Sequence, residues 1–205
     1  MASNGRPLLT AGQRVGLLGG SFNPAHEGHL HVASACLKAL HLDRIWFLVS
    51  PQNPLKSANG MEPLATRLAE TRALVAAQGD RRIIVTDIET RLGTTRTIDT
   101  LRALRRQYPL VNFVWLMGAD NMVQFTSWAK WRAITQTVPI AVYPRPGFTL
   151  KARLSPAAMV LRPVTIEPCD ASLLPHLAAP ALTFLQGREH AASATAIRRA
   201  RDTKA

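Results

Sequence analysis

The sequence predicts a doubly wound α/β fold, a parallel β-sheet with helices on both faces. Three observations carry this. Short continuous apolar runs such as Ile45-Trp46-Phe47-Leu48-Val49 recur along the chain without polar alternation; strands covered on both faces read this way. Segments with helical periodicity separate those runs. The residues best suited to ligand chemistry directly follow strands, which is where this fold class holds its ligands.

The elements follow in order. Val15–Leu18 is predicted as the first strand, and His26–Leu42 as a helix. Ile45–Val49 is a short buried strand stopped by Ser50-Pro51. Pro63–Ala77 reads as a helix with proline in its first turn. Arg82–Asp87 is the next strand, and Ile98–Tyr108 a helix ended by Pro109. Phe113–Met117 is another buried strand, followed by Gly118-Ala119-Asp120. Two short helical pieces precede a strand at Ile140–Tyr143. A small C-terminal helical part closes the chain, its last helix running from Ala194 to Arg201 with Ser193 as N-cap. The proline-rich stretch 145–186 has the weakest pattern, and no role is read for it beyond completing the domain.

The chain has 205 residues, enough for one domain with a sizeable core. Residues 1–13 are expected to form a loose arm and 14–205 a single domain. The N-terminus lacks the apolar core of a secretory signal. No apolar run approaches the roughly 18 to 20 residues that span a bilayer. Cys36 and Cys169 are far apart and without metal-ligand spacing, as expected of reduced thiols in a cytoplasmic protein. The net charge is +12, from 25 Lys+Arg against 13 Asp+Glu. That favours anionic partners, with nucleic acid and phosphorylated metabolites as two candidate classes. Zinc-finger spacing, an RNP-like segment and long Lys/Arg blocks are all missing from the sequence, and the arginines are scattered.

The segment Gly19 to His29 carries the strongest chemical signal. Gly19 and Gly20 end a strand and leave room for a ligand against the backbone, beside Ser21 and Phe22. Asn23 and Pro24 make a turn before a helix. A helix N-terminus there offers unpaired N–H groups and partial positive charge, suited to phosphate. His26 and His29 stand three residues apart and share a helix face. Imidazole can donate to phosphate oxygens in either protonation state. The residues alone also fit a plain Gly-Gly turn. They fit a two-histidine metal site too, although no third ligand has helical spacing and His31 falls on another face. The segment is neither a Walker loop nor a Gly-x-Gly-x-x-Gly dinucleotide fingerprint.

This string resembles the G-x-F-x-P-x-H-x-G-H signature of the HxGH nucleotidyltransferase superfamily, at Phe22, Pro24, His26, Gly28 and His29. Asn23 stands where many members have Asp. Ser193-Ala194-Thr195-Ala196-Ile197-Arg198 resembles the superfamily's S-x-T-x-I-R element; standing alone it is also a plain N-capped basic helix. Hydroxyls, helix N–H groups and Arg198 would hold the β- and γ-phosphates from the opposite side.

The remainder of the chain, across roughly residues 14 to 202, is similar to the bacterial nicotinate mononucleotide adenylyltransferase family. Ser50 to Lys56 resembles its proline-rich loop, with Leu55 where the family usually has His. Thr97-Ile98-Asp99-Thr100-Leu101 resembles its Y-T-x-x-T-L helix start, with Arg96 in place of Tyr. Gly118 and Asp120 with Phe125, Trp128 and Ile134 resemble G-x-D…F…W…I, and Arg145 to Phe148 resembles R-P-G-[YF].

The resemblance implies a reaction and its residues. ATP would be held at Gly19, Gly20, Ser21, Phe22, Lys56, Gly118, Asp120, Ser193, Thr195 and Ile197, with His26, His29 and Arg198 catalytic. Nicotinate mononucleotide would meet Thr97, Ile98, Trp128 and Arg145. Mg²⁺ would come with ATP, carried by phosphate and water, without a dedicated protein metal site. The expected partners are ATP and nicotinate mononucleotide, with no nucleic acid and no membrane; monomer or homo-oligomer is left open. The alternatives are another HxGH adenylyltransferase, taking nicotinamide mononucleotide or phosphopantetheine, and a basic nucleic-acid-binding protein.

Overall fold

A computed structural model of the chain describes residues 9–51, 61–192, 194–195 and 197–198. The strands are β1 (Arg14–Gly20), β2 (Arg44–Val49), β3 (Ile83–Thr86), β4 (Asn112–Gly118), β5 (Ile140–Tyr143), β6 (Thr165–Ile166) and β7 (Leu182–Phe184). They form one sheet in the order β3-β2-β1-β4-β5-β7-β6, and every pairing is parallel. The strand order reverses between β1 and β4, the switch point at which such sheets open a crevice. This is the Rossmann-like, doubly wound architecture that the apolar runs predict.

The strands alternate their side chains between two cores. Val15 and Leu17 of β1 and Trp46 and Leu48 of β2 enter one core, with Ile98, Leu101 and Trp131. Leu18 and the β2 residues Ile45, Phe47 and Val49 enter the other, with Leu30, Leu37 and Leu68. Period-two alternation on strands that are apolar throughout explains why both faces need helices. Helices α1 (Glu27–Ala39) and α2 (Leu64–Gln78) cover the second core; α3 (Ile88–Arg91), α4 (Thr97–Gln107), α5 (Ala119–Val123) and α6 (Trp131–Thr135) cover the first. Helix α2 stops where Gly79 takes the left-handed conformation, φ 81°.

Stretch 145–186 proves to be structured. It supplies α7 (Thr149–Arg153), α8 (Pro156–Leu161), a 3₁₀ segment at Pro168–His176, and strands β6 and β7. These strands have two and three residues, too short for a period to declare itself in sequence. The part of the expected arm that is described, residues 9–13, is docked: Leu9 packs on the first core, and the Gly12 N–H donates to Leu110 O at 2.7 Å. Among the described residues no helix is long and apolar enough to cross a membrane.

Candidate active site

A cleft opens at the carboxyl ends of β1, β4 and β5, at the switch point. It is lined by Gly19, Gly20, Ser21, Phe22, His26, Gly28 and His29 on the β1–α1 side, and by Gly118, Asp120, Asn121, Tyr143 and Arg145 on the other. His190, Ala192 and Thr195 close it from the C-terminal segment. Residues far apart in sequence thus meet around one space.

The turn into α1 sets the histidines. His26 is the N-cap of α1, with extended backbone, and His29 is at N3. The Gly28 N–H donates to His26 Nδ1 at 3.1 Å, and the His26 N–H donates to His29 Nδ1 at 3.2 Å. This is a capping box built from two imidazoles instead of the usual hydroxyl and carboxyl. A ring nitrogen that accepts an N–H carries no proton, so in each neutral ring the proton sits on Nε2. Both histidines are thereby fixed as Nε2–H donors. The ring centroids are 4.0 Å apart. Burial, then the charges of Arg145 and His190, lower the His26 pKa to about 4, so the ring is neutral near pH 7.

Small residues permit this geometry. A Cβ on Gly28 would lie 2.9 Å from the His26 ring, and one on Gly19 would lie 2.6 Å from the Trp115 indole, the floor under the turn. Phe22 holds a left-handed backbone, φ 46°, while its ring stacks on Phe47 at 5.1 Å and leans on His29 at 4.7 Å. Strain of that kind persists where packing over-determines the turn.

Opposite, Arg145 Nη2 donates to Ala192 O at 3.1 Å, and its Nη1 lies 3.7 Å from Asp120 Oδ2. Asp120 Oδ1 is buried with no hydrogen-bond partner among the described residues. It can accept from a ligand hydroxyl or amine. The Arg198 guanidinium donates to the Asn23 carbonyl, so the C-terminal helix is tied to the turn after β1. Ile197 is half-buried beside it. Among the described residues no three His, Cys, Asp or Glu side chains gather as a metal cluster.

A ligand-binding cleft on a doubly wound sheet is common to many chemistries, so relatives decide the family. The cytidylyltransferase-like family model matches residues 17–200. A Parvibaculum lavamentivorans protein named a probable nicotinate-nucleotide adenylyltransferase is 65% identical, covering 94% of each chain. The chain belongs to the nicotinate-nucleotide adenylyltransferase family. A Caulobacter protein of the same name is 51% identical over 93% of this chain and 99% of its own. The fold is also that of a Plasmodium falciparum nicotinic acid mononucleotide adenylyltransferase complexed with NaAD, at TM-score 0.69 and 16% identity, over 91% of this chain and 83% of that one.

Within the family's framework, the structure gathers Gly19, Gly20, Ser21, Phe22, His26, His29, Gly118, Asp120, Arg145 and Thr195 at one cleft. Arg145, read as an acceptor-side residue, sits among these, facing the histidines. Thr97, Ile98 and Trp128 do not line that cleft; Ile98 belongs to the first core and Trp128 packs against it, on the other face of the sheet. Thr97 begins α4, whose N-cap Arg96 makes no side-chain cap. Trp128 is half-buried, edge-on to Trp115 at 6.2 Å and Phe125 at 5.4 Å. Lys56 and Ser193 lie outside the described residues.

Sequence reading missed His190, whose Nδ1 accepts from the Ala192 N–H at 3.1 Å within the cleft wall. It also missed Arg67, buried beneath the turn. Neither has a local signature: one lies in an irregular tail, the other looks like any helical arginine.

Proposed function

We infer that this chain transfers the adenylyl group of ATP to nicotinate mononucleotide, giving deamido-NAD and pyrophosphate, a step of NAD biosynthesis carried out in the cytoplasm. Family membership at high identity supports the reaction. The observation that carries the site is the imidazole capping box, in which both Nδ1 atoms accept from backbone N–H groups and leave the Nε2–H sides as donors at a helix N-terminus beside a cleft.

The acceptor's 5′-phosphate attacks the α-phosphorus, and the bond to the bridging oxygen breaks as pyrophosphate leaves. A phosphate with a second pKa of about 6 is already mostly ionised near pH 7, so no strong base is needed. The protein's work is in-line positioning and stabilisation of negative charge. His26 and His29 donate to the triphosphate, joined by the backbone of Gly19 to Phe22. Arg198, Thr195 and Ile197 hold the β- and γ-phosphates from the C-terminal side; Ser193 and Lys56, outside the described residues, are assigned to the same charge by the family resemblance alone. Gly118 and Asp120 border the ribose; the unpaired Asp120 oxygen suits a hydroxyl donor. Mg²⁺ would come with ATP as part of the substrate and would offset triphosphate charge, with no dedicated protein ligand set expected. On the acceptor side, Thr97 and Ile98 N–H groups at the start of α4 meet the nicotinate carboxylate, and Trp128 stacks on the ring. Arg145 bridges Asp120 and Ala192 between the two substrates.

The test is pyrophosphate release from ATP with a panel of mononucleotides. Release with nicotinate mononucleotide, strongly preferred over nicotinamide mononucleotide, is the expected result. No release with any acceptor, together with salt-dependent binding to DNA or RNA, overturns the reading.

A further inference from the structure

Arg67 lies on α2, outside the cleft, and is 1% exposed. No carboxylate pairs with it among the described residues, and burial lowers its pKa. A guanidinium in such a place is costly unless its donors are met. They are met by carbonyls alone. Nε donates to Glu62 O at 2.8 Å. Nη1 donates to Ser21 O at 2.7 Å and to Ser50 O at 2.8 Å, and Nη2 to Pro51 O at 3.0 Å. These four acceptors come from three separate stretches: the turn after β1, the turn after β2, and the entry to α2.

A second link runs through Asn23. Its Oδ1 accepts from the Glu62 N–H at 3.3 Å, and its carbonyl accepts from Arg198. The turn that carries Ser21 to Asn23 and delivers His26 as N-cap is therefore held from α2 below and from the C-terminal helix above. Apolar packing would secure α2 without a buried cation. Only a planar fork of donors can reach carbonyls on three sides of one point.

We propose that Arg67 is a positioning residue for adenylyl transfer: it fixes the backbone of the turn after β1 so that His26 and His29 are aimed at the triphosphate. The proposal rests on the ATP-site reading above. Positioning is a large term where the nucleophile needs no activation, and small misplacements are expensive. A lysine has a compact ammonium with no planar fork, so it cannot hold the same four carbonyls.

The experiment uses the full chain with Arg67→Lys and Arg67→Ala. Steady-state kinetics with MgATP and nicotinate mononucleotide are measured beside thermal unfolding without ligand. R67K is expected to unfold cooperatively yet lose about 10-fold or more in kcat, with its KM for nicotinate mononucleotide within about twofold of wild type. R67A is expected to lose more, and millimolar ethylguanidine to restore part of its turnover saturably. Wild-type kcat in R67K overturns the proposal. So does a loss in both variants that merely tracks the unfolded fraction and does not respond to ethylguanidine. If wild type itself releases no pyrophosphate with any acceptor, the functional reading fails separately. ATP affinity then tests Arg67: about 10-fold weaker binding in R67K supports the positioning role, and equal affinity overturns it.

Discussion

The two faces of the sheet meet at one candidate catalytic edge but are finished differently. On the α1 face, polar groups are pinned by backbone: each imidazole has its Nδ1 occupied, and Arg67 holds the turn beneath them. On the α4 face, the candidate acceptor residues Ile98 and Trp128 belong to or pack against a hydrophobic core. Ile98 is fully buried, and the Trp115 and Trp128 indole N–H groups are buried without acceptors among the described residues. The difference follows from what each face would receive. Developing phosphate charge is stabilised by dipoles that do not reorganise. A flat pyridine ring asks for apolar surface and a few donors.

The sharpest way to break this comparison is to remove one imidazole. His29→Ala or His26→Ala is expected to lower turnover on the order of 10²-fold while the chain stays folded; near-wild-type turnover removes that histidine from the site. Because His26 has its pKa near 4, its titration should not shape the rate between pH 5.5 and 8. A pH–rate limb near 6.5 that disappears in His26→Asn would contradict the neutral donor.

A second test lies under the acceptor face. The Glu89 carboxyl is buried, its pKa raised to about 7 by desolvation, although the Thr100 hydroxyl donates to it at 3.2 Å. Thr100 in turn meets the Thr94 hydroxyl at 2.8 Å, in the first turns of α4 and the loop before it. The folded pKa exceeds the unfolded one, so the folded state binds more protons between them. The stabilising contribution is full below pH 4.5 and is lost as pH rises through about 7. Between pH 5 and 8 this amounts to on the order of 2 kcal/mol. Urea midpoints at the two pH values should converge in Glu89→Gln; an unchanged gap between them rules out Glu89 as its source.

Trp128→Ala separates the two halves kinetically. Loss of a stacking partner is expected to raise the KM for nicotinate mononucleotide about 10-fold, leaving the KM for ATP unchanged. Equal effects on both substrates would merge the sites that the comparison divides. The smallest effect is expected far from either. Arg14 and Asp43 pair at 2.7 Å, partly exposed, at the start of β1. Asp43→Asn should cost less than about 1 kcal/mol and leave the kinetics untouched.

Much of the site was legible because it is local. Phe22, Pro24, His26, Gly28 and His29 fall within eight residues, and the turn they make is set by short-range sterics and a helix start. The strands were legible because burial on both faces leaves uninterrupted apolar runs. Strands β6 and β7 were not, since parallel pairing of β7 with β5 and of β6 with β7, rather than runs of their own, defines them. Arg145 had a motif but no address; only the proximity of Asp120 and Ala192 brings it opposite the histidines.

By itself, then, the sequence determined the layer architecture and singled out the candidate phosphate-binding turn, because hydrophobic period and turn chemistry are properties of neighbours in the chain. Tertiary structure alone decided which nitrogen of each histidine accepts from backbone, which arginine is buried, and which distant segments close the cleft. Those depend on hydrogen bonds between residues such as Arg67 and Ser21, or Arg198 and Asn23, whose separation in sequence carries no periodic signal.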